Sequence, residues 1–331
     1  LMHVLIDNEL VREFSVNLTP GEPDYWVYLE IDEFKGKKAT VLINRLTSKT
    51  KKTFYSIYQS DTFPGQDNLY KEKLRAQFHF SSKRGWSNDP NGLVYYDGEY
   101  HLFYQHGPFG CNGAGDNQTW GHAVSTDLVH WTELGDAIYP DELGTIFSGS
   151  GVVDWKNTTG FQTGDEPPLV FIYTSAGGVN QWSRGKSFTQ SIAYSNDRGR
   201  TITKYNENPV QEHIIGGNRD PKVIWWEETQ EWVIILELDE TFGFFTSKDL
   251  KKWEMQSVLE AGAFHDCPEL FELPVDGDEN NTRWIIHDGT GKYFYGDFDG
   301  KKYTPESELI KYNYGNCFCL LYTSDAADEL D

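Results

Sequence analysis

Three acidic residues in this chain stand just ahead of a proline, each at the mouth of an apolar run. They are Asp89 in Trp86-Ser87-Asn88-Asp89-Pro90-Asn91-Gly92, Asp220 in Arg219-Asp220-Pro221, and Asp266 in His265-Asp266-Cys267-Pro268-Glu269-Leu270-Phe271. Two carboxyl groups suffice to hydrolyse a glycosidic bond. One attacks or stabilises the oxocarbenium-like centre, and the other protonates the leaving oxygen and then activates water. Taken alone, Asn-Asp-Pro-Asn-Gly is turn chemistry, because Asp before Pro leaves the helical region and Asn-Gly tolerates positive φ. Three such residues in separate β segments read differently: a radial β architecture converges the entrances of its strands on one axis.

The elements that must hold these residues are legible as strands and turns. Leu93–Tyr96 and Glu99–Gln105 flank Asp97-Gly98, a two-residue hairpin signal. Lys222–Trp226 follows the second acidic residue as another apolar strand. Ser125-Thr126-Asp127-Leu128-Val129-His130-Trp131 recurs as Ser247-Lys248-Asp249-Leu250-Lys251-Lys252-Trp253, with Ser195-Asn196-Asp197-Arg198-Gly199 as a degenerate copy. Each copy follows a strand-like run, and each predicts a tight turn between the middle and outer strands of a repeated sheet. The repeat predicts blades at 86–145, 146–210, 218–262 and 263–310, with another starting near Tyr312. Ahead of them, residues 1–70 read as short strands, Met2–Ile6, Val11–Leu18, Trp26–Ile31 and Lys38–Ile43, separated by Asp7-Asn8, Pro20-Gly21 and Lys35-Gly36. That pattern predicts a small β-sandwich accessory domain, with residues 60–74 as its connection to the first blade.

The composition agrees with an all-β chain. The 331 residues include 11 Trp, 19 Tyr and 20 Phe against 2 Met; aromatics favour strands and offer flat faces to sugars. A formal net charge of −22 argues against nucleic acid and anionic membrane as partners, both being polyanions. No run approaches the ~18 apolar residues of a membrane-spanning helix. Cys111, Cys267, Cys317 and Cys319 lack metal-ligand pairing and the nine His are scattered, so neither a metal nor another cofactor is expected. The chain opens on Leu-Met-His-Val with no charged leader or cleavage site, so no targeting signal is expected within it.

Trp-Ser-Asn-Asp-Pro-Asn-Gly resembles the Trp-Met-Asn-Asp-Pro-Asn-Gly signature of glycoside hydrolase family 32, the β-fructosidases (invertases, inulinases, levanases). Arg219-Asp220-Pro221, the Asp266-Cys267-Pro268-Glu269-Leu270 segment and Phe147-Ser148-Gly149-Ser150 resemble three further signatures, in family order across about residues 75–318. The resemblance implies a five-bladed β-propeller catalytic domain (71–318, its last blade truncated) and retaining hydrolysis of levan, inulin or sucrose, exo-acting on balance. It implies Asp89 as nucleophile, Asp220 as a holder of sugar hydroxyls, Arg219 beside it, and Asp266 as acid/base where the family carries Glu. Asn88, Gln105, Trp120, Phe147, Ser148 and Cys267 fall where the family lines its fructose pocket, with Trp86 as an aromatic wall. For Trp86 and Trp120 singly, core packing explains the residue as well. It also implies an extracellular, periplasmic or cell-surface setting.

Two departures stand out. After Gln105-His106 the chain runs Gly107-Pro108-Phe109-Gly110-Cys111-Asn112-Gly113-Ala114-Gly115-Asp116, where the family has Asn-Pro and then Trp; the second is Asp266 itself. Residues 319–331 resemble a translated sequencing-library adapter and are expected to be non-native, the natural chain continuing beyond. Two other readings remain open at this point: a five-bladed hydrolase of arabinose or xylose polymers, and a catalytically impaired fructan-binding propeller.

Overall fold

In the computed structural model, residues 1–19, 21–44, 51–77, 79–110, 115–260 and 265–314 are described. Cys111, Cys317, Cys319, the continuation of a fifth blade and the 319–331 tail lie outside them. The N-terminal alternation produces β1 (Met2–Ile6), β2 (Glu9–Phe14) and β3 (Ala39–Ile43), an antiparallel sheet in the order β2-β1-β3. Asp7 and Asn8 both take left-handed φ, as a two-residue hairpin turn requires.

Trp26–Ile31 makes no strand, and among the described residues this region holds one sheet, not two. The sheet's apolar face is covered by irregular chain and by the region that follows. Met2, Val4 and Phe14 cluster with Phe109 of the following region and with Val27 and Leu29 from irregular chain. Phe14 stacks on Phe109 at 4.1 Å between ring centroids. Asn117 exchanges two hydrogen bonds with the Ser15 main chain (2.6 and 2.8 Å), and the Trp182 N–H donates to Glu13 at 2.7 Å.

Among the described residues four antiparallel sheets follow, each a simple meander. The first comprises β4 (Trp86–Tyr96), β5 (Glu99–Gly107), β6 (Thr119–Ser125) and β7 (Trp131–Ile138). The second is β8 (Thr145–Val153), β9 (Leu169–Ala176), β10 (Thr189–Ser195) and β11 (Thr203–Lys204). The third is β12 (Arg219–Trp226), β13 (Glu231–Leu238), β14 (Thr241–Ser247) and β15 (Glu254–Glu260). In the fourth, β16 (Glu269–Val275), β17 (Asp278–His287) and β18 (Lys292–Phe298) are edged by β19 (Tyr303–Pro305) and β20 (Ile310–Lys311), both paired to β18. The first strands of neighbouring sheets pack together in the order β4, β8, β12, β16, so they are the inner strands of a repeated arrangement of the kind propeller blades have.

The predicted repeat is a real structural one. Leu128, Arg198 and Leu250 occupy equivalent turn positions, all at left-handed φ (63°, 56° and 60°). In each turn a Ser hydroxyl donates to an Asp carboxylate, at 3.1 Å for Ser125–Asp127, 2.7 Å for Ser195–Asp197 and 3.2 Å for Ser247–Asp249. Asp299 supplies a fourth copy, accepting the Lys301 and Lys302 N–H groups (2.9 and 2.7 Å) between β18 and β19. No Ser precedes it at that spacing, which hid it from the sequence pattern.

The apolar core lies between sheets rather than within any one. Phe103, Trp120 and Ile138 of the first pack with Ile146, Phe171 and Tyr173 of the second. Ile172 and Ile192 of the second meet Val223, Ile234 and Phe245 of the third. Ile235, Phe242 and Phe244 of the third meet Leu270, Ile286 and Phe298 of the fourth. A cavity of about 580 Å³ opens between the N-terminal sheet and the first two blades, lined by Arg12, Glu33, Tyr139 and Lys204 among others; none of the three acidic motif residues lines it. Among the described residues no helix is long and apolar enough to cross a membrane.

Candidate active site

Asp89 and Asp220 sit where an inner strand departs from regular pairing, and Asp266 lies on irregular chain just ahead of β16. On β4 the register shifts twice, between Ser87 and Pro90 and between Asn91 and Val94, so Asn88-Asp89 bulges out of the ladder. The motif is therefore an irregular strand, not the surface turn its residues alone suggest. Gly92 makes this possible: it holds φ 52°, and a Cβ there would meet the Phe103 and Trp120 rings at 3.0 Å. Asn91, fully buried, braces the bulge by donating to the Asp89 carbonyl (3.0 Å) and accepting the Gly149 N–H (3.2 Å).

The neighbouring strands are built alike. β8 shifts register between Ile146 and Gly149, and β12 between Arg219 and Lys222. Asp220, Asp266 and Cys267 all hold left-handed φ (59°, 59° and 43°), a conformation that Asp tolerates better than most residues. The Asp220 N–H donates to Thr174 Oγ1 at 3.0 Å.

These irregularities bring the acidic groups of three sheets together. Ser148 Oγ donates to Asp89 Oδ2 at 2.7 Å. The Cys267 N–H donates to Asp220 Oδ2 at 3.0 Å, and the Cys267 Sγ lies 3.7 Å from both Asp89 Oδ2 and Asp220 Oδ2. Arg219 spans the other side. Its Nε donates to Asp266 Oδ1 at 2.9 Å and its Nη2 contacts the same oxygen. Nη2 also lies 3.0 Å from Glu237 Oε1, and Nε lies 3.7 Å from Asp220 Oδ2.

Burial governs the titration of this cluster. Desolvation raises the Asp89 carboxyl above the usual range, with the Ser148 and Cys267 hydrogen bonds opposing it. Asp220 is pushed up to about 7 by burial, against the Cys267 N–H and Arg219. Glu237 is pushed up to about 8, again by burial against Arg219. One guanidinium among several carboxyl groups cannot hold them all ionised, so the site keeps protons near neutral pH. The oxygens of Asp220, Glu237 and Asp266 lie within 4.8 Å of one another, the kind of grouping that attracts a cation. Arg219 bonds two of the three, so the chain itself supplies that positive charge.

The other predicted residues divide. Asn88 Nδ2 donates to Gln105 Oε1 at 2.9 Å, and Trp86, 39% exposed, lies beside them with its Nε1 3.5 Å from Asn88 Oδ1. Phe147 packs edge-on against Phe188 at 5.5 Å. For Trp120, of the two readings left open, the structure gives core packing. It is 0% exposed within the core between the first two sheets, and its Nε1 donates to the Phe147 carbonyl at 3.0 Å. It can shape the site only from behind. Glu237, Asn91 and Thr174 belong to the site and were not singled out from sequence. Glu237 did carry a signal: it is the single charge inside the apolar run Val233-Ile234-Ile235-Leu236-Glu237-Leu238.

Comparison with known proteins bears on what such a site does. The family described as glycosyl hydrolases family 32 N-terminal domain matches residues 79–328. The chain is 47% identical over 270 residues to a levanase of Bacillus subtilis (strain 168), covering 76% of this chain and 39% of that protein. It is 37% identical over 278 residues to an extracellular exo-inulinase of Aspergillus niger, covering 73% and 51%. Among solved structures it resembles an exo-inulinase of Aspergillus awamori, with a TM-score of 0.65 and 36% identity over 75% of this chain and 55% of that one. The chain thus spans about half, or less, of the length of these relatives.

Proposed function

This chain belongs to glycosyl hydrolase family 32, and on that footing we propose that it carries the catalytic centre of a β-fructosidase. The enzyme releases fructose from levan, inulin or sucrose, working from chain ends, with retention at the anomeric carbon. The observation that carries the reading is the meeting of acidic groups from three sheets around Cys267, whose Sγ stands 3.7 Å from both Asp89 and Asp220.

In this reading the Asp89 carboxylate attacks the anomeric C2 of the terminal fructosyl unit. The C2–O bond breaks as the leaving oxygen takes a proton from Asp266, giving a fructosyl ester on Asp89. Water then loses a proton to Asp266 and attacks C2, which frees fructose and restores both carboxyl groups. Ser148 orients Asp89 through its 2.7 Å hydrogen bond. Asp220, pushed up to about 7, holds sugar hydroxyls both as donor and as acceptor, through bonds that strengthen in the transition state. Arg219 balances the charge that the acid/base acquires when it gives up its proton. Trp86, half-exposed beside Asn88 and Gln105, offers the sugar ring an apolar wall.

The test is product analysis of the full-length protein on levan, inulin and sucrose. Fructose as the sole early product from levan or inulin supports the reading. Oligosaccharides as early products would remove the exo assignment. Binding of fructans with no fructose released would make this a binding propeller instead.

A further inference from the structure

Resting on the function just proposed, we propose that Glu237 is the positioning residue of the acid/base arm. It holds Arg219 with one carboxyl oxygen and the Asp266 main chain with the other, so that the short Asp266 side chain meets the leaving oxygen.

Three observations carry this. First, Glu237 is 1% exposed, one residue from the C-terminal end of β13. A carboxyl buried there is costly without partners, and both of its oxygens have them. Oε1 lies 3.0 Å from Arg219 Nη2, and Oε2 accepts the Asp266 N–H at 3.2 Å. Second, Arg219 and Glu237 are opposite one another in the β12–β13 ladder, so this contact is built into the register of the sheet.

Third, Asp266 precedes β16 on irregular chain at φ 59°. Its peptide is tethered at both ends: its N–H goes to Glu237, and its carbonyl accepts the Gly289 N–H at 3.0 Å. Asp is one methylene shorter than Glu, so the reach of this arm depends on where its backbone stands. A displacement of about 1 Å can cost on the order of a hundredfold in rate, which makes the residue that pins that backbone decisive. The groups facing Glu237 are Arg219 and Asp220 of β12 and Asp266 itself.

The experiment compares Glu237→Gln and Glu237→Ala with wild type in the full-length protein. Each is assayed on inulin or levan and on an aryl β-fructoside, whose leaving group needs little protonation. Glu237→Gln preserves shape and one acceptor. It should lower kcat on the fructan about tenfold or more with KM within about twofold, and lower the aryl rate by less than about threefold. Glu237→Ala should widen that gap. In an Asp266→Glu background, whose longer arm reaches further, Glu237→Gln should cost less than about threefold on fructan.

A merely structural Glu237 would lower both substrates equally, and that outcome, or unchanged rates in both variants, overturns the inference. If Glu237→Ala does not fold, Glu237→Gln decides alone. Wild type that releases no fructose from either substrate sinks the functional reading and this inference with it, whereas active wild type with an unmoved substrate ratio sinks only the inference.

Discussion

At the scale of single residues, the acidic centre works against the stability of the fold, and Asp220 shows it best. Its carboxyl is held up to about 7 against an ordinary 3.8. The folded state therefore binds a proton more tightly than the unfolded chain does. The contribution to stability is complete below about pH 4 and is lost as pH rises through 7, worth on the order of 4 kcal/mol at most. Asp220→Asn removes that loss. Its melting temperature should exceed wild type by a margin that grows from pH 4 to pH 8, while fructan hydrolysis falls by powers of ten. A variant that melts below wild type at pH 8 would contradict the burial argument. Asp89→Asn tests the nucleophile: it should fold normally and lose at least about a thousandfold in kcat. Retention of a tenth of the activity would reduce Asp89 to a strand residue. These acidic residues were visible in the sequence because turn chemistry and the following proline are local signals. Glu237 stood out locally only as a lone charge in an apolar run; its partners come from across the ladder and from the next sheet, which no local pattern encodes.

At the scale of elements, irregularity in the inner strands is what aims the side chains. At Gly149, β8 runs close against the main chain of β9. A Cβ there would stand 2.0 Å from the Ile172 carbonyl oxygen and 2.7 Å from the Tyr173 Cα, both main-chain atoms that cannot step aside. Gly149→Ala should cost about 1–3 kcal/mol. It should also lower kcat more than KM is raised, because Ser148 beside it orients Asp89; unchanged activity with lowered stability would separate the two roles. The first sheet carries a second testable pair. His101 and His122, on β5 and β6, are buried and hydrogen-bonded ring to ring at 3.0 Å. Burial lowers His101 to about 4 and His122 well below its ordinary value. The unfolded chain takes up these protons first, so stability should fall as pH drops from about 6.5 to 4. Unfolding midpoints in denaturant over that range check it, and a flat profile would mean the pair is already charged in the fold. Hairpins and repeat turns were legible because Asp-Gly and Ser-x-Asp close on themselves. Strand faces were not, and Trp120 shows the cost: the resemblance left it open between pocket lining and core, and only the fold shows it 0% exposed. Trp26–Ile31 alternates like a strand, yet its apolar residues are used as a lid over β1 and β2.

At the scale of the molecule, the apolar clusters join each sheet to its neighbour, so stability is a sum of nearest-neighbour contacts. Amide hydrogen exchange should be slowest in β9 and β6, where every residue is buried, and fastest in β15, whose outer face is open. Uniform protection across inner and outer strands would argue for a single cooperative core instead. The clusters also set rules for recombination. Alternate residues of one strand serve opposite interfaces, so no crossover point along the chain spares both faces of a sheet. A chimera that imports the second or third sheet from a relative must re-match two clusters, and so must one that imports the first, which shares one cluster with the second sheet and, through Phe109, another with the N-terminal sheet. An exchange of the first sheet, which carries Trp86, Asn88 and Gln105, therefore has to bring along the residues that face it in the N-terminal sheet as well as those in the second.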